Sequence, residues 1–297
     1  MNQLVKGSIL VSMAATCYGT LTSFVKLSYE AGFTTVEITF SQLLIGYIGF
    51  LVINFFYDKK SSVAMSKSQL NKKRLWLILA GFSIGATSIF YYSAVRYITV
   101  SLGIVLLMQS VWISAFADLI INKVPLTKRK SIAIVVVLIG TILASDVWQQ
   151  DQEFDLRGIG FGLLAALSFT VTLFASNNVA LNFTAVTRSK WMLLGGLFVV
   201  SLYALPELFS GFNFDVFLVW GPVLALFGTI LPPLFFTSGM PKVTVGLGAI
   251  VSSLELPVAV FMGFLILGEE QNIIKWVGIL FILLAIVIMN YRKVEAN

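Results

Sequence analysis

One short stretch of this chain occurs twice, and each copy opens a long apolar run. Ile98-Thr-Val-Ser-Leu-Gly103 returns 145 residues later as Val243-Thr-Val-Gly-Leu-Gly248. Lys6-Gly7, ahead of the first apolar run, likewise returns as Arg157-Gly158 ahead of the sixth. An internal repeat restricts the fold to architectures made from two copies of one unit. If each copy holds an odd number of membrane spans, the two lie upside down to one another in the bilayer. That arrangement suits a pathway that opens alternately to the two sides.

Composition identifies the solvent. The chain is 58% hydrophobic and 11% charged, with a mean hydropathy of +0.93, whereas a soluble domain is about 25% charged. So much apolar surface is expected to face lipid. The net charge of +6 does not suggest nucleic acid, because the basic residues are dispersed over short loops. A single cysteine, Cys17, allows no intrachain disulfide, and the chain has no histidine, so ordinary zinc sites are not expected. The first apolar run is followed at once by another rather than by a soluble domain, which argues against a cleaved signal peptide.

A span needs about 17–25 predominantly apolar residues. Ten stretches qualify: Gly7–Val25, Ile38–Phe56, Leu75–Tyr92, Thr99–Ile121 and Ser131–Val147, then Gly158–Leu181, Ser189–Leu205, Val216–Thr237, Val243–Leu267 and Ile274–Tyr291. The expected fold is an all-α integral membrane protein of ten transmembrane helices arranged as two inverted five-helix repeats. Residues 1–147 form the first repeat, 148–157 an acidic linker and 158–297 the second repeat. With the amino terminus inside, sixteen Lys and Arg fall on the inner side and four on the outer. That asymmetry places both termini in the cytoplasm and the acidic linker outside.

Glu255 is the leading candidate for function. It lies 12 residues from either end of its span, or about 18 Å of helix. A charged group at that depth costs about 2.5–3.5 kcal/mol on insertion scales, so it should face the bundle interior or water. It is a candidate proton-coupling or amine-binding carboxylate, although a carboxyl that serves packing alone is a live alternative. Pro257, two residues on, removes a backbone donor to the Ser253 carbonyl and should bend the helix there. Ser252 shares a helical face with Glu255. At the matching level of the fourth span stand Gln109 and Trp112, and Trp112 is at mid-depth rather than in the usual interfacial belt. Tyr18, Tyr92 and Asn177 complete the expected substrate wall. Asp118 sits close to the inner surface and reads as a solvated or lysine-paired charge. Pro232-Pro233 should interrupt the eighth span. No phosphate loop, nucleophile elbow or catalytic carboxylate pair is present, so neither an enzyme nor ATP-driven transport is expected.

The chain resembles the drug/metabolite transporter superfamily, in particular its ten-span EamA-like members. The resemblance rests on the two five-span halves, on Leu254-Glu-Leu-Pro257 and on Leu267-Gly-Glu-Glu270. The first half departs from the pattern: Trp112 replaces the proline, and Asn122-Lys123 stands where Gly-Glu is usual. The resemblance implies a central cavity lined mainly by spans 1, 3, 4, 6, 8 and 9, with spans 5 and 10 peripheral. It also implies a gating role for Glu255 and a capping or gating role for Glu269. The expected function is a secondary transporter, more an exporter than an importer, of amino acids, metabolites or drugs across the inner membrane. No cofactor or metal is expected. The expected partners are a small-molecule substrate and the bilayer, with proton coupling open and a monomer or homodimer. Two rivals remain: a nucleotide-sugar or organophosphate exchanger, and a non-transport assembly or lipid-modifying protein.

Overall fold

The computed structural model describes residues 2–57, 66–94, 96–98, 100–145, 155–269 and 272–290. Most of the expected acidic linker lies outside them, as do several of the loop lysines used to orient the chain. The described residues form helices and connecting turns, with no strand among them. The helices are α1 (Gln3–Glu30), α2 (Thr35–Tyr57), α3 (Lys67–Ala94), α4 (Val100–Leu107), α5 (Ser110–Ile121), α6 (Lys128–Ala144) and α7 (Leu156–Asn178), followed by α8 (Ala185–Ser210), α9 (Trp220–Ala225), α10 (Leu231–Gly239), α11 (Val245–Ser252), α12 (Glu255–Leu267) and α13 (Ile273–Asn290).

Eight helical stretches among the described residues are long and apolar enough to cross a membrane, with α4–α5, α9–α10 and α11–α12 each counting as one. The expected fifth and tenth spans correspond to α6 and α13, of 17 and 18 residues. Both are shorter than the eight, at about 25–27 Å of helix, and they pack on each other. A Cβ on Gly278 would stand 2.3 Å from the Ala144 amide nitrogen, and one on Gly140 2.8 Å from the Gly278 carbonyl oxygen. The two backbones therefore touch, which is how small residues join helices in lipid.

Several helices run past their apolar stretches because polar residues cap them. Thr127, Thr184 and Thr244 each accept a backbone N–H three residues on with their hydroxyls, at the starts of α6, α8 and α11. Thr34 and Glu37 form a reciprocal capping box at the start of α2, with Glu37 Oε2 accepting from the Thr34 amide at 2.7 Å. Such caps satisfy amides that have no partner within the helix.

Many of the helix contacts map onto one another when each half is exchanged for the other. α3 packs on α7 and α8; correspondingly, α10 packs on α1, and α9 with the turn after it packs on α2. α4 and α5 lie on α7 as α11 and α12 lie on α1, while α2–α8 and α6–α13 are each their own counterpart; α5 also packs on α11, without comparable packing of α12 on α4 among the described residues. The repeated sequence motifs mark these contacts. A Cβ on Gly7 would meet Val243 at 2.8 Å, and one on Gly158 would meet Ile98 at 2.7 Å. Each half's leading glycine thus seats the turn that opens the other half's repeated stretch.

The bundle has two differently built ends. At the first, the starts of α1, α6, α8 and α11 meet the ends of α5, α7 and α10. Asp118 is fully buried there. It pairs with buried Lys130 at 3.3 Å, accepts the Gly246 amide at 2.9 Å and the Asn122 side chain at 3.0 Å. One carboxylate thereby joins α5, α6 and the amino end of α11, where the helix dipole favours negative charge. Asp118 is lysine-paired, and no part of it is solvated. Arg188 is also buried and donates to four carbonyls: Val179 (2.9 Å), Thr237 (2.8 Å), Ala175 (3.2 Å) and Ser176 (2.7 Å). Beneath these networks a core of Val11, Leu173, Phe236, Met240 and Leu247 closes the space between α1, α7, α10 and α11.

The second end is held more loosely. Lys26 pairs with Glu269 at 2.7 Å, both half-exposed. Glu37 accepts the Asn213 amide at 2.6 Å. Asp155 caps α7 and pairs with Arg157 at 2.6 Å, and that guanidinium holds the Asp155 carboxyl below its ordinary range.

Candidate functional site

The fourth and ninth spans are both broken, and at the same place in the repeat. α4 ends at Leu107 and α5 resumes at Ser110; α11 ends at Ser252 and α12 resumes at Glu255. The 145-residue offset carries one break onto the other. The hydrogen bonds repeat with it. The Gln109 amide turns to the Leu106 carbonyl and the Val111 amide to Met108, as Leu254 turns to Val251 and Leu256 to Ser253. These tightened turns deprive the Val105 and Ile250 carbonyls of their normal α-helical partners four residues on. The Ile250 carbonyl still takes the Ser253 amide at 3.3 Å, but a carbonyl left bare in a membrane costs several kcal/mol, and the fourth-span break supplies Val105 with a side-chain donor. Gln109 Nε2 reaches Val105 O at 3.0 Å, and Ser253 Oγ reaches Ile250 O at 2.6 Å.

Pro257 therefore acts differently from the sequence expectation. The Ser253 carbonyl is not freed, because it accepts the Leu256 amide at 3.2 Å. The break lies a few residues before the proline, and the fourth span breaks alike without one. The eighth span is interrupted as Pro232-Pro233 implied: a widened π turn at Leu226–Ile230 precedes them. Such turns recur at functional sites. The Thr229 hydroxyl ties this turn to the second span through the Gln42 carbonyl at 2.8 Å.

Between the breaks and the π turn lies a cavity of about 130 Å³. Its polar wall is Tyr18, Gln42, Thr87, Ser88, Tyr92, Thr172, Thr229 and Glu255, and Leu21, Leu43, Ile84, Leu107, Phe169 and Gly228 complete it. These residues belong to α1, α2, α3, α4, α7, the π turn and α12, so both halves contribute. They stand mid-helix or toward the second end, with the apolar core closing the first end beneath them. Two contacts set the wall's shape. A Cβ on Gly228 would lie 2.2 Å from Gln42 Nε2, and one on Gly46 2.1 Å from Thr229 Oγ1. Glycine at both places lets α2 and the π turn meet edge to edge. Gly19 does the same for α1, passing 2.5 Å (as a Cβ) from the Glu255 carbonyl oxygen.

Glu255 is the charged residue of this wall among the described residues. It occupies the first turn of α12, and among the described residues no hydrogen bond or ion pair reaches its carboxylate. The neighbouring hydroxyls, by contrast, are engaged: Thr172 with Ser83 at 2.7 Å, Thr87 with the Ser83 carbonyl at 2.7 Å.

The family model of the EamA-like transporter family matches residues 5–146 and again 156–291. The chain belongs to the EamA-like transporter family. It is accordingly a multi-pass membrane protein of a transporter family, built from two copies of the family's unit. No curated protein matches it. A solved crystal structure, described only as that of a protein, is similar in fold, with a TM-score of 0.76 and 13% identity over 96% of this chain and 97% of the other.

In this EamA-like chain the expected wall residues separate into two groups. Tyr18, Tyr92 and Glu255 line the cavity together. Gln109, Trp112, Asn177 and Ser252 do not line it. The Trp112 indole donates to Gln109 Oε1 at 2.9 Å on an outward face. Asn177 clamps the turn between α10 and α11 by donating to the Met240 carbonyl and to Val243 O at 2.7 Å. Ser252 is turned into the protein, donating to Ala249 O at 2.8 Å, because the break separates its face from that of Glu255. Sequence reasoning missed the contribution of α2 and the row of hydroxyls. Gln42 was a readable signal, an amide inside an apolar run; Thr87, Ser88, Thr172 and Thr229 resemble ordinary membrane-helix residues.

Proposed function

We propose that this protein is a secondary transporter that exports small organic solutes across the cell's inner membrane by alternating access. Ten spans form two inverted five-helix halves, with both termini and the tightly closed first end in the cytoplasm. The cavity then faces outward in the described conformation. One observation carries the reading: a mid-membrane cavity walled by helices of both halves lies beside two matched helix breaks and holds an unpaired carboxylate. Broken spans around a central site are how such carriers bind and release cargo. Glu255 is the residue assigned to cargo contact or proton exchange, while Pro257 and the breaks are assigned to gating.

An organophosphate exchanger needs cations to hold phosphate. The described wall carries no Lys or Arg, which argues against that rival. The test is flux in proteoliposomes loaded with a broad panel of amines, amino acids and neutral metabolites. Saturable efflux of at least one solute, lost on heat inactivation, is expected. Correctly folded protein that moves none of the panel would favour an assembly or lipid-modifying role.

A further inference from the structure

Resting on the transport reading above, we infer that the cavity receives a small organic monocation, an amine with an apolar or single-ring body and no carboxylate of its own. The wall has one charged group, Glu255, and no hydrogen bond or ion pair reaches that carboxylate among the described residues. Facing it are uncharged oxygens of Gln42, Thr87, Ser88, Thr172 and Thr229 and the rings of Tyr18, Tyr92 and Phe169. A lone carboxylate in a low-dielectric site is poorly solvated and gains most from a cation. Electron-rich ring faces favour the same cation. The Tyr18 ring is itself fixed by packing, its centroid 5.9 Å from that of Phe236.

The same wall disfavours a zwitterion. The carboxylate of an amino acid would enter beside Glu255 with no cation among the described wall residues to receive it, and like charges in such a site repel strongly. Two basic residues of the second end, Lys26 and Arg96, lie outside the wall. Lys26 there is already paired with Glu269, and Arg96 is exposed. A cavity of about 130 Å³ suits a body no larger than one ring with a short arm.

The experiment uses the full chain in lipid nanodiscs at fixed pH and salt, with calorimetry following the binding of four probes that share a phenyl ring on a short arm. These are 2-phenylethylamine, phenylalanine, 2-phenylethanol and phenylacetate. The amine is expected to bind about tenfold or more tightly than the other three. Glu255→Gln should remove that margin while leaving 2-phenylethanol binding unchanged. Phenylalanine or phenylacetate binding as tightly as the amine would overturn the inference and bring Arg96 into the site. Equal amine affinity in Glu255→Gln would overturn it as well. The wild-type ranking decides the question even where Glu255→Gln reduces folded yield. Efflux of neutral or anionic solutes without amine binding removes the cation assignment and leaves transport standing; no efflux of any solute removes both.

Discussion

At the scale of single residues, the cavity is shaped by what is missing from glycines as much as by what its polar groups offer. Gln42 can lie flat against the π turn only because Gly228 presents no side chain, and the contact falls on the end of a flexible amide rather than on backbone. A methyl group at that position should therefore swing the Gln42 amide into the cavity and leave the helices in place. Gly228→Ala is expected to weaken substrate binding about tenfold with little loss of thermal stability, measured as KM for efflux beside a melting curve in detergent. Gly81 gives the contrast: there a Cβ would sit 1.9 Å from the Met192 carbonyl oxygen, a backbone contact with no room to yield. An unchanged KM in Gly228→Ala would show that Gln42 does not bound the occupied site.

At the scale of elements, the break in the fourth span is the less expected of the pair. Its sequence has no proline, and the hydropathy of Thr99–Ile121 reads as one uninterrupted helix. What permits the break is Gln109, whose amide takes over the Val105 carbonyl. Gln109→Leu should leave that carbonyl bare, costing about 1–3 kcal/mol. The loss should appear as a lower unfolding midpoint or as a straightened fourth span, with the order of substrate preference unchanged because Gln109 is outside the wall. The spans themselves were legible, since each is a long apolar run. The repeat was legible because its motifs sit at glycine contacts that tolerate little change. The breaks were half legible: Pro257 pointed to the right helix and the wrong carbonyl. Ser252 was misplaced because helical spacing assumes an unbroken helix, whereas Asn177, in the last turn of α7, is drawn to the turn between α10 and α11. Arg188, one of the sixteen basic residues counted to the inner side, is buried because it lies four residues into α8.

At the scale of the whole molecule, the two ends differ in a way that composition alone did not announce. Arg188 and the Asp118–Lys130 pair are buried at the first end, where they knit carbonyls and helix starts together. The second end relies on half-exposed pairs such as Lys26–Glu269. The proposed orientation, taken from the excess of Lys and Arg expected on that side, puts the first end in the cytoplasm. The same proposal puts the linker between the halves outside. A cysteine introduced at Gln150, in a Cys17→Ser background, is expected to react with a membrane-impermeant maleimide added to intact cells. Cys17 is buried, and its removal leaves one reporter. A second cysteine at Lys128 should react only after the membrane is opened. Labelling of the Lys128 position in intact cells, with Gln150 protected, would reverse the orientation. The tight end would then face outward, and the cavity would be read as open to the cytoplasm.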